Sequence, residues 1–183
     1  AASGFADESK IPCTRGLIKN RYVLRTFILP DQHLRDVGIK IKLNPLKHRL
    51  KNKRIVLIDD SIVRGTTSAK IVKMIKAAGA KEVHMMASCP PIKYPCFYGI
   101  DTANRSDLIS ANMDEDSICK YIGADSLHFL TIEGLLKAVH PAFNNGVDIN
   151  DPSKGYCTAC FDGKYPIPIP QSVKLTKFDF EKK

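Results

Sequence analysis

The pattern of apolar and polar positions in the middle of the chain predicts a strand, a helix and a second strand in succession. Residues 54–60 are rich in Ile, Val and Leu, which is typical of a buried strand. A helix is predicted next, because four apolar residues recur on one helical face with lysines opposite: Ile71, Met74, Ile75 and Ala78. Gly79 is placed to end this helix. The second strand is predicted at residues 81–88, and because a helix connects the two strands we expect them to be parallel.

A similar alternation of elements is found on either side of this unit. Downstream, the pattern predicts a helix at residues 114–124, a strand at 125–132 and a helix at 131–139 that begins at Thr131. Upstream, a helical opening is followed by strand-like alternation to about Pro30, and residues 31–53 are rich in loop signals and basic side chains. Alternating strands and helices favour an α/β fold, with a parallel sheet flanked by helices. A boundary is predicted after residue 140, because residues 141–183 combine a loop with an extended basic tail.

Composition and charge narrow the classes of function. The 183 residues carry a net charge of +9, which favours an anionic partner such as a phosphorylated small molecule, a nucleic acid or an acidic protein surface. No apolar run reaches the length of about 18 residues that a membrane span needs. The opening residues show neither the basic nor the apolar region of a secretory signal. We therefore expect no membrane association and a cytoplasmic location.

Two adjacent acids, Asp59 and Asp60, end the first of the central strands, where α/β sheets place their ligands. The loop that follows leads into a helix and consists of Ser61, Ile62, Val63, Arg64, Gly65, Thr66 and Thr67. Backbone amides, hydroxyl groups and the helix dipole at such a position suit a phosphate, and Gly65 permits a close backbone approach. Carboxylates above a phosphate site suggest a ligand with vicinal hydroxyls and a divalent cation. The alternative interpretation is that Asp60 and Ser61 only cap the helix.

The stretch VLIDDSIVRGTTS resembles the signature with which type I phosphoribosyltransferases bind phosphoribosyl pyrophosphate (PRPP). Its wording IDDSIVRGTTS is similar to that of the glutamine PRPP amidotransferases, as are GLIKNRYVLRTFI, CPPIKYPCFYGID, IGADSLHFLTIEGL and CTACFDGKYP. This resemblance implies the type I phosphoribosyltransferase fold, here expected to lack its first strand, its pyrophosphate loop and the glutaminase domain. It also implies a glycosyltransferase that, in the intact protein, forms 5-phosphoribosylamine and pyrophosphate from PRPP and glutamine-derived ammonia, the first step of purine synthesis. Without the glutaminase domain, the chain alone is not expected to hydrolyse glutamine by the family mechanism.

The resemblance assigns roles to individual residues. Asp59 and Asp60 would serve the ribose hydroxyls of PRPP directly or through Mg²⁺, and the loop from Ser61 to Thr67 would hold the 5′-phosphate. The segment KNRYVLR matches a flexible loop that closes over PRPP, and its residues facing the pyrophosphate would be Arg21, Tyr22 and Arg25. Leu24 departs from the Gly usual in this loop, which puts its mobility in doubt. From the residues alone, an edge strand with solvated cations explains this segment equally well.

Cysteines form the other candidate constellation. Cys157 and Cys160 have the spacing of a metal site, a redox pair or a structural pair, and spacing alone leaves these open. The resemblance adds Cys96 and implies a [4Fe–4S] cluster, whose fourth thiolate would come from a region upstream of this chain. The remaining cysteines are interpreted as core or incidental residues: Cys13, Cys89 and Cys119.

Several partners follow from the same resemblance. We expect PRPP, ammonia or glutamine, the glutaminase domain, inhibitory purine nucleotides such as AMP, ADP or GMP, and a homo-oligomer. The basic run KHRLKNKR has no interleaved aromatics, so it is interpreted as a solvated face rather than a nucleic-acid site. The alternative hypothesis is a non-catalytic module that senses PRPP or nucleotides, and salt-dependent binding to duplex DNA would support such a regulator.

Overall fold

A computed structural model describes residues 1–20, 22, 43–100, 102, 104–139 and 156–169 of the chain. The chain divides into two compact units. The first unit comprises Ala1–Ile58, Gly65–Met85 and Cys119–Leu127, and the second comprises Asp59–Arg64, Met86–Ile118 and His128–Lys183.

The described strands form two sheets. Strands β1 (Leu17–Lys19) and β2 (Leu43–Pro45) make an antiparallel pair in which Leu17 lies opposite Pro45. Strands β3 (Arg54–Asp59), β4 (Glu82–Ala87) and β5 (Ser126–Phe129) make a three-stranded sheet in the order β3-β4-β5.

The described helices follow in chain order. They are α1 (Ala2–Ser9), α2 (Lys47–Leu50), α3 (Thr66–Ala77), α4 (Ile109–Asn112), α5 (Glu115–Ile122), α6 (Ile132–Val139) and α7 (Ala159–Asp162), with a 3₁₀ turn at Arg105–Asp107. None of the helices in the described part of the chain combines the length and apolar character that a bilayer crossing requires.

Backbone hydrogen bonds show that β3 and β4 are parallel. In the first unit the Lys81 amide donates to the Lys53 carbonyl, at the point where both strands begin (2.8 Å). In the second unit the Ser88 amide donates to the Asp59 carbonyl, at the point where both strands end (2.9 Å). The predicted α/β fold with a parallel sheet flanked by helices is therefore confirmed.

Helix α3 begins and ends as its local sequence dictates. Gly65 precedes it with a left-handed φ of 72°, and Gly79, with a φ of 97°, follows it. The Gly79 amide donates to the Lys76 carbonyl and the Ala80 amide donates to the Ile75 carbonyl, the two bonds of a Schellman end. The predicted termination at Gly79 is confirmed.

The core of the first unit is formed by α3, α2 and β4. Its buried members are Leu50, Val72, Ile75, Ala78 and Val83. Of the predicted helix face, Ile75 and Ala78 are buried, whereas Ile71 and Met74 are only half-buried. Val72 takes the central place instead, because it lies three residues before Ile75 on the same side of the helix.

Residues 43–53 contain elements that the hydrophobic pattern did not predict. Strand β2 and helix α2 lie in a segment expected to be loop, and Leu50 of α2 is buried among the core residues. A four-residue helix offers too little periodicity to be recognised from sequence. The basic side chains of the segment are nevertheless exposed, as expected for a solvated face: Lys47, Arg49, Lys51 and Lys53.

The later helices begin at side-chain caps. Asp114 Oδ1 accepts from the Ser117 amide (2.8 Å) at the start of α5, and Thr131 Oγ1 accepts from the Gly134 amide (3.0 Å) at the start of α6. The helix predicted to begin at Thr131 is therefore confirmed, and its cap explains why it starts there.

We predict that Ile75→Ala destabilises the protein by about 2–5 kcal/mol, because Ile75 is only 1% exposed and its truncation leaves a cavity among Leu50, Val72 and Val83. Chemical denaturation followed by circular dichroism measures the change. Lys73→Ala, at an exposed position of the same helix, is the matched control and should change stability by less than about 0.5 kcal/mol. A similar small effect for both variants would contradict the assigned core.

Candidate functional site

The acid pair lies at the carboxyl end of β3. Asp59 is the last residue of the strand and is half-buried, whereas Asp60 is exposed. The Asp60 amide donates to Asp59 Oδ1 (3.1 Å), and Ser61 Oγ donates to Asp60 Oδ1 (3.1 Å). The Asp59 carbonyl accepts from the amide (2.9 Å) and the hydroxyl (3.1 Å) of Ser88. The two carboxylates are thus fixed at the edge of the parallel sheet.

The Asp59 carboxyl occupies an environment that disfavours its negative charge. Burial raises the pKa of Asp59, and the charge of Asp60 also raises it, whereas the hydrogen bond from the Asp60 amide lowers it. A cation or several hydroxyl donors would relieve this cost. The pair therefore suits a ligand rich in hydroxyl groups, a metal ion, or both.

The loop after the acid pair is held at each of its next residues. Ile62 is 1% exposed and anchors the loop through its side chain. The Val63 carbonyl accepts from the Ile109 amide (2.8 Å), and Arg64 Nη2 donates to Asp107 Oδ2 (3.0 Å). Within this part of the chain, the loop has a defined conformation that depends on residues more than 40 positions away in sequence.

Residues 65–67 form the start of α3. The N-cap position of this helix is Gly65, which has no side chain to cap it, and the first turn has no acidic residue. Thr66 and Thr67 are exposed there, beside first-turn amides that have no intrahelical acceptor. An uncapped helix start with hydroxyl groups is a suitable place for an anion. The alternative of a cap by Asp60 and Ser61 differs from the structure, because Gly65 occupies the N-cap position and Ser61 Oγ donates to Asp60 Oδ1.

Comparison with known proteins identifies relatives over nearly the whole chain. The amidophosphoribosyltransferase of Synechococcus elongatus is 52% identical over 181 residues, which are 99% of this chain and 35% of that protein. The amidophosphoribosyltransferase of Bacillus subtilis is 50% identical over 175 residues, which are 96% of this chain and 36% of that protein. No family model matches the chain.

A solved structure agrees with these relatives. The glutamine PRPP amidotransferase of B. subtilis, solved in complex with ADP and GMP, superposes with a TM-score of 0.78 at 50% identity. The match covers 93% of this chain and 36% of that one. Over nearly its whole length, the chain is similar to the C-terminal portion of amidophosphoribosyltransferases. It spans about a third of the length of the curated relatives it matches.

The cysteines singled out in the sequence, Cys96, Cys157 and Cys160, lie near one another in the second unit. The Cys160 carbonyl accepts from the amides of Lys93 (2.9 Å) and Tyr94 (3.0 Å), which joins α7 to the segment that carries Cys96. Burial raises the pKa of the Cys160 thiol, and the neighbouring Cys96 and Cys157 raise it further. Among the residues that the structure describes, however, no group of three or more potential ligands is arranged to hold a metal ion.

Cys89 was interpreted from sequence as core or incidental, and the structure places it beside the acid pair. Burial raises the pKa of its thiol to about 11, the Ile62 amide lowers it by a hydrogen bond, and the charges of Asp60, Cys160 and Asp59 raise it. Cys89 is therefore a protonated thiol at neutral pH, close to the end of β3.

Of the remaining residues expected at the site, some lie outside the described part of the chain. Arg21, Arg25 and Leu24 belong to that undescribed part of the chain. Tyr22 is described and is 98% exposed, with its amide donating to Asn20 Oδ1 (3.0 Å). The roles given to these residues stay predictions.

Sequence reasoning missed the contact of Asp107 with Arg64. Asp107 is an exposed acid in a short 3₁₀ turn, and no local pattern distinguishes it from a solvated residue. Only the three-dimensional structure shows that it pairs with the loop after the acid pair.

We predict that Asp59→Asn stabilises the fold at neutral pH. The pKa of Asp59 in the folded protein lies above its ordinary value of 3.8. The protonated carboxyl therefore stabilises the fold below pH 3.8, and this stabilisation is lost as the pH rises through the folded pKa. Asn keeps the acceptor for the Asp60 amide and removes the charge. Denaturation at several pH values should show an advantage for Asn at pH 7 that disappears near pH 3.

Asp125→Asn is the matched control with the opposite sign. The Val83 amide and then Lys76 lower the pKa of Asp125 below its ordinary value of 3.8. The ionised carboxylate therefore stabilises the fold above pH 3.8, and this stabilisation is lost as the pH falls through the folded pKa. This variant should destabilise the fold at pH 7. Equal signs for the two variants would contradict the environment assigned to Asp59.

Proposed function

We propose that the intact protein to which this chain belongs is an amidophosphoribosyltransferase that forms 5-phosphoribosylamine and pyrophosphate from PRPP and ammonia derived from glutamine. The chain supplies the phosphoribosyltransferase part of this activity. The observation that carries the proposal is the acid pair at the end of β3, followed directly by a structured loop and an uncapped helix start. Relatives named for this activity, about 50% identical across nearly all of the chain, support the same assignment.

The chemistry of PRPP fits the order of these groups along the chain. Asp59 and Asp60 provide acceptors for the 2′- and 3′-hydroxyls of the ribose. The loop from Ser61 to Thr67 provides amides and hydroxyls for the 5′-phosphate, and the helix dipole of α3 favours its negative charge. The carboxylates and the phosphate loop are adjacent in sequence, in the order expected for a ribose 5-phosphate unit.

The residues present also fit Mg²⁺. Asp59 and Asp60 would hold it, since they supply carboxylate oxygens of the kind that Mg²⁺ prefers, and a cation would offset the burial and the Asp60 charge that raise the pKa of Asp59. When bound, the ion supplies charge neutralisation for the pyrophosphate that leaves.

Residues of the segment after β1 are proposed to complete the site. Arg21 and Arg25 would offset the charge of departing pyrophosphate, and Tyr22 would help to exclude water from the reacting carbon. The exposure of Tyr22 in this structure is what a side chain needs in order to reach a bound ligand. Leu24, where the family usually has Gly, would make this segment stiffer.

The resemblance implies a [4Fe–4S] cluster that takes three thiolates from this chain, Cys96, Cys157 and Cys160, and a fourth from upstream of it. Cys96 and Cys157 lie near Cys160, but among the described residues no group of three or more potential ligands is arranged to hold a metal ion. Cys89 is near Cys160 too, but its thiol donates to the Pro90 carbonyl (3.2 Å) and faces the acid pair. We derive no step of the reaction from a cluster.

Further features of the intact protein are part of the same proposal. Purine nucleotides would bind through their 5′-phosphate to the loop at Ser61–Thr67, in keeping with the B. subtilis structure described with ADP and GMP. A glutaminase domain would deliver ammonia, residues 1–140 would form the phosphoribosyltransferase domain and residues 141–183 its C-terminal tail. A cytoplasmic homo-oligomer is the expected state.

We predict that Asp60→Asn in the full-length protein lowers ammonia-dependent release of pyrophosphate from PRPP by at least about tenfold, because a charged hydrogen-bond acceptor for the ribose is lost. A coupled pyrophosphate assay with saturating ammonia measures the rate and bypasses the glutaminase. Glu133→Gln is the matched control, since Glu133 pairs only with the exposed Lys137 on α6 among the contacts described.

Two results would contradict the proposal. Unchanged pyrophosphate release in Asp60→Asn would remove Asp60 from the site. Binding of PRPP without release of pyrophosphate by the wild type, together with salt-dependent binding to duplex DNA, would favour the sensor hypothesis instead.

We predict that Gly65→Ala weakens the binding of GMP by about fivefold or more. A side chain at a φ of 72° costs roughly 1–2 kcal/mol, and the backbone must shift at the start of α3 to relieve it. Isothermal titration of GMP into the full-length protein measures the affinity. Gly99→Ala is the matched control, since Gly99 also has a positive φ of 113° but lies outside the loop. Equal losses in both variants would show that the effect is not specific to the loop.

A further inference from the structure

A short segment of the second unit holds the loop of the acid pair at two consecutive residues. This segment, residues 105–112, consists of the 3₁₀ turn Arg105–Asp107 and helix α4. The Ile109 amide donates to the Val63 carbonyl (2.8 Å), and Arg64 Nη2 donates to Asp107 Oδ2 (3.0 Å). We refer to these two contacts together as the tether.

The tether acts where the backbone conformation of the loop matters most. Val63 and Arg64 directly precede Gly65, whose left-handed φ of 72° sets the start of α3. On the side of the segment, Leu108 and Ile109 are 1% and 7% exposed, so the Ile109 amide is held by packing. A buried donor thus fixes the carbonyl two residues before the turn into the helix.

The ion pair also changes the role expected for Arg64. Arginine is well suited to bind a phosphate directly, because its planar guanidinium matches the geometry of the anion. Here the guanidinium is already paired with a carboxylate, and both side chains are about half exposed. Amides and hydroxyls of the loop therefore remain as the groups that face a phosphate, while Arg64 anchors the loop to the segment.

We propose that Asp107 is a positioning residue for the phosphate loop, acting through Arg64, and that the Ile109 amide is its second anchor, acting through Val63. The proposal rests on the proposed function of this loop in holding a ribose 5-phosphate. It adds a segment to which neither the motif nor the resemblance assigns a role.

The test uses the full-length protein and GMP as the probe. Asp107→Ala should weaken GMP binding about two- to fivefold, the size expected from an exposed ion pair, and should raise the KM for PRPP with little change in kcat. Asp107→Glu should restore most of the affinity because it restores the charge. Arg64→Gln should cost as much as Asp107→Ala, and the double variant should cost no more than either single variant.

Glu133→Gln is the matched control for the loss of an exposed ion pair, and it should leave GMP binding unchanged. The opposite pattern would overturn the proposal. If Arg64 binds the phosphate itself, Asp107→Ala will leave GMP binding unchanged or tighten it, whereas Arg64→Gln will weaken it strongly. Additive losses in the double variant would likewise show that the two side chains act separately.

A pair of variants isolates the backbone anchor. Ile109 is the first residue of α4, where proline is accepted because no intrahelical bond needs its amide. Ile109→Pro removes the donor to Val63, and Ile109→Ala removes a comparable part of the side chain but keeps the donor. A loss of GMP affinity in the proline variant beyond that of the alanine variant supports this anchor, and equal losses overturn it.

Hydrogen exchange separates failure of the tether from failure of the proposed function. Faster exchange of the Ile109 amide in Asp107→Ala than in the wild type supports the tether, even if the wild type binds neither GMP nor PRPP, a result that would overturn only the proposed function. Unchanged exchange at this amide overturns the tether, whatever the protein binds.

Discussion

The half-buried carboxyl of Asp59, with a second carboxyl directly after it, is the constraint to which the rest of the site responds. Ionising Asp59 costs free energy because water is partly excluded and Asp60 lies beside it. The protein offsets part of this cost with the Asp60 amide, which points back at the Asp59 carboxylate. The position itself is held by Ser88, which donates twice to the Asp59 carbonyl from the end of the neighbouring parallel strand. An arrangement that keeps an unfavourable charge at a fixed place is typical of a binding site rather than of a helix cap.

The parallel arrangement of β3 and β4 explains why Asp59, Asp60 and Cys89 lie at the same edge of the sheet. In parallel strands all carboxyl ends point the same way, so the residues that follow β3 and β4 emerge side by side. This is why Cys89, which follows the end of β4, senses the charges of Asp59 and Asp60 although it is about 30 residues away in sequence. Burial is the main cause of the high pKa of its thiol, and the charges of Asp60 and Asp59 add to it.

Local sequence patterns predicted most of the helices and strands, but they did not predict contacts between residues that are distant in sequence. The strand at 54–60 and the helix ending at Gly79 agree with the structure to within one or two residues. Hydrophobic periodicity and a glycine that ends a helix can both be recognised from neighbouring positions in the sequence. Helix α2 was missed because four residues show too little periodicity, and the burial of its Leu50 depends on core residues of other elements. The pairing of Arg64 with Asp107 joins residues 43 positions apart. From the sequence, each side chain alone would be interpreted as a solvent-exposed charge without a partner. The acid pair was recognisable because its two charges stand together in sequence.

The segment that carries Cys157 and Cys160 lies close to Cys96, but closeness of cysteines does not by itself make a metal site. Its contact with the segment around Cys96 is made by backbone bonds to the Cys160 carbonyl and by the Tyr165 hydroxyl, which donates to the Pro95 carbonyl (2.7 Å). Phe97 packs against the Tyr165 ring with centroids 5.2 Å apart. These bonds and this aromatic contact hold the two segments together through main-chain and ring atoms. The thiols are therefore not what joins the segments, and any ligand at the cysteines would bind to a contact that already exists rather than create it.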